Sequence, residues 1–206
     1  MEYFYYSSLY LTYALLFITS LLGILKNKLL QKKEIWYLFY ILFILIIEIV
    51  TNSLIEIFHS KNTAFLYPIY ISGSFLLLTS LFIKKFELSK FWFIPIIIFT
   101  FLFSIGDQCF EYFNNDYSKV FSNMVIICLA GYSLLQEIKN VQNNNRFLWV
   151  DAFIFMYYSI SVFTFILQQQ LSLFSLQNAS LIWGINNILT CLLYISFINT
   201  FLKLKK

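Results

Sequence analysis

Seven apolar runs alternate with short polar stretches along the 206-residue chain. A helix needs about 20 predominantly apolar residues to cross a hydrocarbon core of ~30 Å. The runs at 5–25, 35–58, 64–83, 91–105, 120–135, 147–167 and 180–202 meet or approach that length, and each predicts a transmembrane helix. The fourth is short unless it continues past Gly106 into DQCFEYF at 107–113. The pattern predicts an all-α fold, a polytopic transmembrane bundle of about seven helices forming a single domain over 1–206.

The polar stretches give this pattern a direction. Lys26, Lys28, Lys32 and Lys33 separate the first two runs, and Lys84, Lys85 and Lys90 follow the third. Lys139 and Arg146 follow the fifth, and Lys203, Lys205 and Lys206 close the chain. The alternate loops hold only Lys61 and Lys119. Loops rich in Lys and Arg stay in the cytoplasm, so the N-terminus is expected outside and the C-terminus inside. Trp36, Trp92 and Trp149 each follow a basic loop, while Tyr3, Tyr5, Tyr6, Tyr112, Tyr117 and Trp183 mark the opposite interface. Aromatic belts of this kind sit at headgroup level. No basic segment with a following cleavage site opens the chain, so a cleaved signal peptide is not expected.

Composition names the solvent. The chain is 60% hydrophobic, 21% aromatic and 12% charged, against about 45–50% apolar and 25% charged for soluble domains. A globule of this size cannot hide so much apolar surface from water. The expected location is the bacterial inner membrane, as a multi-pass protein. Cys109, Cys128 and Cys191 show no paired spacing, which argues against a disulfide framework.

Within this apolar background, Glu48, Asn52, Glu56 and His59 fall at i, i+4, i+8 and i+11, one face of a continuous helix. A carboxylate near a helix centre costs about 2.5–3.5 kcal/mol on insertion scales. The acids should therefore face protein or water. Counting about 1.5 Å per residue places Glu48 near the midplane, Glu56 within a turn of the outer surface and His59 at the interface. Asp151 falls about one turn inside the cytoplasmic end of the sixth run. Asn186 and Asn187 in the seventh share the depth of Asn52. The seven polar residues Glu48, Asn52, Glu56, His59, Asp151, Asn186 and Asn187 thus form a candidate intramembrane cluster. It can act as hydrogen-bonding glue between helices, as a small-ligand pocket, or as a path for protons or cations. Ser72, Gly73 and Ser74 in the third run offer a small-residue surface for close helix approach.

Other chemistry finds little support. The last run has no lysine for a retinal Schiff base, and one histidine is too few for a membrane metallohydrolase. No phosphate-binding glycine loop and no intramembrane serine-protease motif occurs. No catalytic residue, metal site or cofactor is assigned, and an enzyme is disfavoured. Asp107, Glu111 and Asp116 are expected in an outer loop, as a solvated acidic turn or as a group that attracts cations, and Asn178 opens a glycosylation sequon that matters only in a eukaryotic secretory pathway. Topology and attraction to anionic lipid explain the lysines, so no direct nucleic-acid contact is expected. The expected partners are the bilayer itself, a cytoplasmic protein at the lysine-rich loops, a small ligand or cation, and further copies of the chain.

The stretches IIEIVTNSLIEIF at 46–58 and LYPIYISGSFLLLTSLF at 66–82, with Trp183-Gly184-x-Asn186-Asn187, carry a resemblance. The whole chain resembles the small seven-span integral membrane proteins of Bacteroidota. Multi-span accessory proteins encoded beside RNA-targeting CRISPR effectors have this size and come from such genomes. The resemblance implies the architecture. The expected function is a non-enzymatic membrane sensor, regulator or accessory subunit. The alternatives are a proton- or cation-coupled carrier or channel using Glu48, a defence-system accessory protein, and a lipid-modifying enzyme.

Overall fold

A computed structural model describes residues 2–59, 62–109, 115–139, 145–166 and 176–205. Among them are seven α-helices. These are α1 (Glu2–Leu25), α2 (Ile35–Glu56), α3 (Leu66–Lys85), α4 (Phe93–Cys109), α5 (Asn115–Lys139), α6 (Leu148–Ile166) and α7 (Leu176–Lys203). Five of them, α1, α2, α3, α5 and α7, are long and apolar enough to cross a membrane. The apolar stretches of the other two, Lys90–Gly106 and Leu148–Thr164, are shorter. The fourth helix does continue past Gly106, as far as Cys109.

The burial pattern is that of a lipid-solvated chain. On α1 the buried positions are Ser8, Thr12, Leu16, Thr19 and Ser20, while Tyr10, Phe17, Leu21 and Ile24 are exposed. Water would reverse that preference, because exposed apolar side chains forgo burial worth ~1.5–3 kcal/mol each. In lipid they lose nothing by facing outward. Small and hydroxyl-bearing residues at the interface instead let backbones approach and supply hydrogen bonds.

The chain divides into two compact units, Met1–Leu29 with Asn123–Lys206, and Leu30–Ser122. Helix α5 contributes its first turns to the second unit and the remainder to the first.

In the unit 1–29 with 123–206, α1 and α7 run parallel. Ser8 meets Asn187, Thr12 meets Cys191, and the Lys26 ammonium donates to the Leu204 carbonyl at 3.4 Å. These partners keep a nearly constant separation along the chain, the mark of a parallel pair. Helices α5 and α6 run antiparallel. Asn123 meets Ser161, Gly131 faces Phe155, and Ser133 meets Asp151, so one number rises as the other falls. Phe147 packs edge-on against Phe201, tying the start of α6 to the end of α7.

In the unit 30–122, Gly73 on α3 receives the Phe43 ring of α2. Phe75 packs edge-on against Phe103 of α4 at 5.1 Å between centroids. Helix α3 ends in a motif that normally uses glycine. The Leu88 N–H donates to the Ile83 carbonyl at 3.1 Å and the Glu87 N–H to Lys84 at 3.4 Å. Glu87 therefore takes a left-handed backbone, with φ 54°, the αL position of a Schellman cap.

Candidate functional site

The polar residues singled out by their spacing fall into separate groups. Glu48, Asn52, Glu56 and His59 belong to the unit 30–122, and Asp151, Asn186 and Asn187 to the other. Glu48 and Asn52 are half-buried on α2, and the Asn52 amide donates to the Glu48 backbone carbonyl at 2.9 Å. Glu56 is exposed at the last position of the helix. His59 does not continue that face. The helix stops at Glu56, and His59 lies beyond it with φ 49°, exposed. The i+11 spacing presupposed an unbroken helix, and the left-handed turn breaks it. Histidine is one of the residues that tolerate such a backbone.

Asp151 is completely buried, at 0% exposure. Its Oδ2 accepts from the Ser133 hydroxyl of α5 at 3.1 Å and from the Asn145 amide at 3.3 Å. Asn145 has a second task. Its Oδ1 accepts the Phe147 N–H at 3.0 Å, and its carbonyl accepts Leu148 N–H at 3.2 Å, so it shapes the start of α6. Asp151 lies in the first turn of that helix, where the helix dipole favours an acidic group. The site thus fits a carboxyl held by donors from two segments.

A second polar group lies between α1 and α7. The Asn187 Nδ2 donates to the Ser8 hydroxyl at 3.2 Å, and the Thr12 hydroxyl to the Asn187 carbonyl at 3.4 Å. Thr12 Oγ1 also lies 3.2 Å from Cys191 Sγ. Asn186 keeps its Oδ1 buried with no hydrogen-bond partner among the described residues. On the α5–α6 seam, Asn123 donates to Ser161 at 3.2 Å, and both residues are fully buried.

The sequence pattern missed one group altogether. Lys119 was expected in an outer loop ahead of a helix starting at 120. Helix α5 instead begins at Asn115, and Lys119 is 2% exposed. Its ammonium sits over the Tyr70 ring, 4.2 Å from the centroid. Its place among the loops with almost no basic residues was the available signal that it answered to something other than topology.

Among the described residues no group of three or more His, Cys, Asp or Glu side chains could hold a metal. Cys128 is free and exposed, and Cys191 is free and buried. Cys109 has no described side chain. Of the acidic turn expected at Asp107, Glu111 and Asp116, the first falls in α4 and the last in α5, while Glu111, the side chains of the other two and the Asn178 side chain lie outside the described parts. Comparison with known proteins finds no matching family, no matching curated protein and no matching solved structure.

Proposed function

We propose that this chain is a seven-crossing protein of a bacterial inner membrane that works without catalysis, as a sensor, regulator or accessory subunit. The N-terminus lies outside and the C-terminus in the cytoplasm, on the strength of the lysine asymmetry. The observation that carries the reading is the pairing of polar side chains along helix seams. Asp151 takes hydrogen bonds from Ser133 and Asn145, Asn123 pairs with Ser161, and Asn187 with Ser8. Groups bonded in this way fix helix register. A protein that transmits a state to a partner needs such register, and its lysine-rich loops are where a cytoplasmic partner would dock.

A proton- or cation-coupled carrier is the second reading, favoured by the half-buried carboxyl of Glu48 inside α2. Proteoliposomes under an imposed pH gradient, with wild type beside Glu48→Gln, separate the two. The regulator reading expects no flux from either protein while both remain folded. Flux in the wild type that Glu48→Gln abolishes would establish the carrier instead. Orientation is tested by single cysteines at Lys28 and Asn62, labelled in intact cells with a membrane-impermeant thiol reagent. Labelling at Asn62 alone is expected, and labelling at Lys28 alone would invert the topology.

A further inference from the structure

Within the unit 30–122, the segment leading into α2 and the end of α3 enclose an open cavity of about 480 Å³. Its walls are Gln31, Lys32, Lys33, Trp36, Lys84 and Glu87. Three lysines and one glutamate therefore line one concave surface, although Lys33 and Lys84 stand far apart in the chain. Positive-inside topology requires lysines in these loops, but it does not require them to converge.

Each wall is fixed by its own interactions. The buried Glu34 carboxylate, 8% exposed, accepts the Gln31 N–H at 2.7 Å and sets the turn that carries Lys32 and Lys33. The Lys84 ammonium lies 5.5 Å from the Phe93 ring centroid, an attraction that restrains its long side chain. Glu87 holds the left-handed corner of the α3 cap at φ 54°. A non-glycine residue is disfavoured there, and residues held in sparsely populated backbone regions gather at ligand sites. Trp36 is half-buried at the rim, with the apolar body and polar N–H that suit headgroup depth.

We propose that this cavity binds a phosphate-bearing anion, presented either as the headgroup of an anionic lipid or as free phosphate. Lysines act as point charges toward phosphate. A phosphate group carrying between one and two negative charges over several oxygens can engage three ammoniums at once, whereas a carboxylate has two oxygens and one charge. Basic pockets between transmembrane helices hold phosphorylated headgroups on this principle. Glu87 sits in the same cavity as a competing anion, so it weakens the site and sets its selectivity against weakly charged ligands. The site is distinct from the polar groups inside the helices, and its assignment does not depend on the regulator reading.

The test uses the full chain in maltoside micelles, titrated calorimetrically with dihexanoylphosphatidic acid, dihexanoylphosphatidylcholine and sodium phosphate. Saturable binding of phosphatidic acid or phosphate at one site per chain is expected, about tenfold or more tighter than phosphatidylcholine. Lys84→Gln and Lys33→Gln should each weaken it about fivefold, the effect of one lysine on an anionic headgroup surface. Glu87→Gln should tighten it severalfold, a gain that misfolding cannot produce. Lys90→Gln, in the same connection but outside the cavity lining, should leave it unchanged. Equal affinity for phosphatidic acid and inorganic phosphate assigns the free anion as ligand, and binding of the lipid alone assigns the headgroup. The proposal is overturned by absence of saturable binding to both. It is overturned equally if Lys90→Gln weakens binding as much as Lys84→Gln, or if Glu87→Gln has no effect.

Discussion

Asn187 donates from its side-chain amide to the Ser8 hydroxyl at 3.2 Å, so the middle of the last helix is locked to the early turns of the first. About two to three turns further on, the Thr19 hydroxyl reaches the Tyr194 carbonyl at 3.5 Å. Two helices joined at both heights in one register must run the same way. An even number of reversals therefore lies between them, whichever face of the membrane is called outside.

That register is directly testable by cross-linking. Thr12 Oγ1 lies 3.2 Å from Cys191 Sγ, so Thr12→Cys places a thiol beside the native one. With Cys109 and Cys128 replaced by serine, mild oxidation should convert most of the protein to an internally bridged form of altered gel mobility. Leu11→Cys, whose side chain is exposed, should remain reduced. Efficient bridging from position 11 with none from 12 would refute the pairing.

The Asp151 site predicts a measurable coupling. Ser133→Ala removes one of the donors to its carboxyl. Interhelical side-chain hydrogen bonds in membranes average about 0.6 kcal/mol, with a maximum near 1.7. A cycle of Ser133→Ala, Asp151→Ala and the double variant should yield a coupling of about 1 kcal/mol. Unfolding in mixed micelles with a denaturing detergent measures it, and additive effects would remove the bond from the account.

Gly73 is placed where a side chain cannot be. A Cβ there would run into the Phe43 ring. Overpacking costs ~1–3 kcal/mol, while replacing a helical glycine by alanine returns up to ~1 kcal/mol. Gly73→Ala should therefore destabilise by about 1 kcal/mol net, and adding Phe43→Leu should recover most of it. A neutral Gly73→Ala variant would mean that the ring moves aside freely.

Lys119 and Tyr70 should behave as a pair. Taking an ammonium out of water carries a desolvation penalty that an apolar residue of similar shape avoids. Lys119→Met is therefore expected to match or exceed the wild type in thermal stability. Tyr70→Ala should cost more in the wild type than in the Lys119→Met background, the difference reaching about 2 kcal/mol for a desolvated cation over a ring. Equal losses in both backgrounds would reduce the contact to simple proximity.

The helices were legible because hydrophobic length is a one-dimensional property. Runs such as 35–58 and 64–83 needed no knowledge of neighbours to reveal α2 and α3. The errors came where a local rule met tertiary packing. Lys119 stands just ahead of the apolar run that opens at 120, yet the helix begins at Asn115 and carries Lys119 onto the Tyr70 ring. His59 was counted onto the face of α2, but that face ends with the helix at Glu56. The pairings were out of reach for a different reason. Serine and threonine at 8, 12, 133 and 161 look like ordinary helix residues, and only the partner across the seam distinguishes them. The cavity between Lys33 and Lys84 was hidden likewise, since its lysines already had an explanation in topology.

The pairing of α1 with α7 also bears on how the protein is made. The partners of the first helix lie 175 to 179 positions later in the chain. At ~5–20 residues per second of synthesis, α1 waits in the bilayer for roughly ten to thirty-five seconds before α7 exists. Its hydroxyls are equipped for the wait. Ser8 donates to the Tyr5 carbonyl, Thr12 to Ser8, Thr19 to Leu15 and Ser20 to Leu16, all within the helix. The newborn segment is thus satisfied on its own, and the same oxygens become adhesive once α7 arrives. A chain that ends before α7 leaves this stripe self-satisfied but without the partner it is shaped to meet.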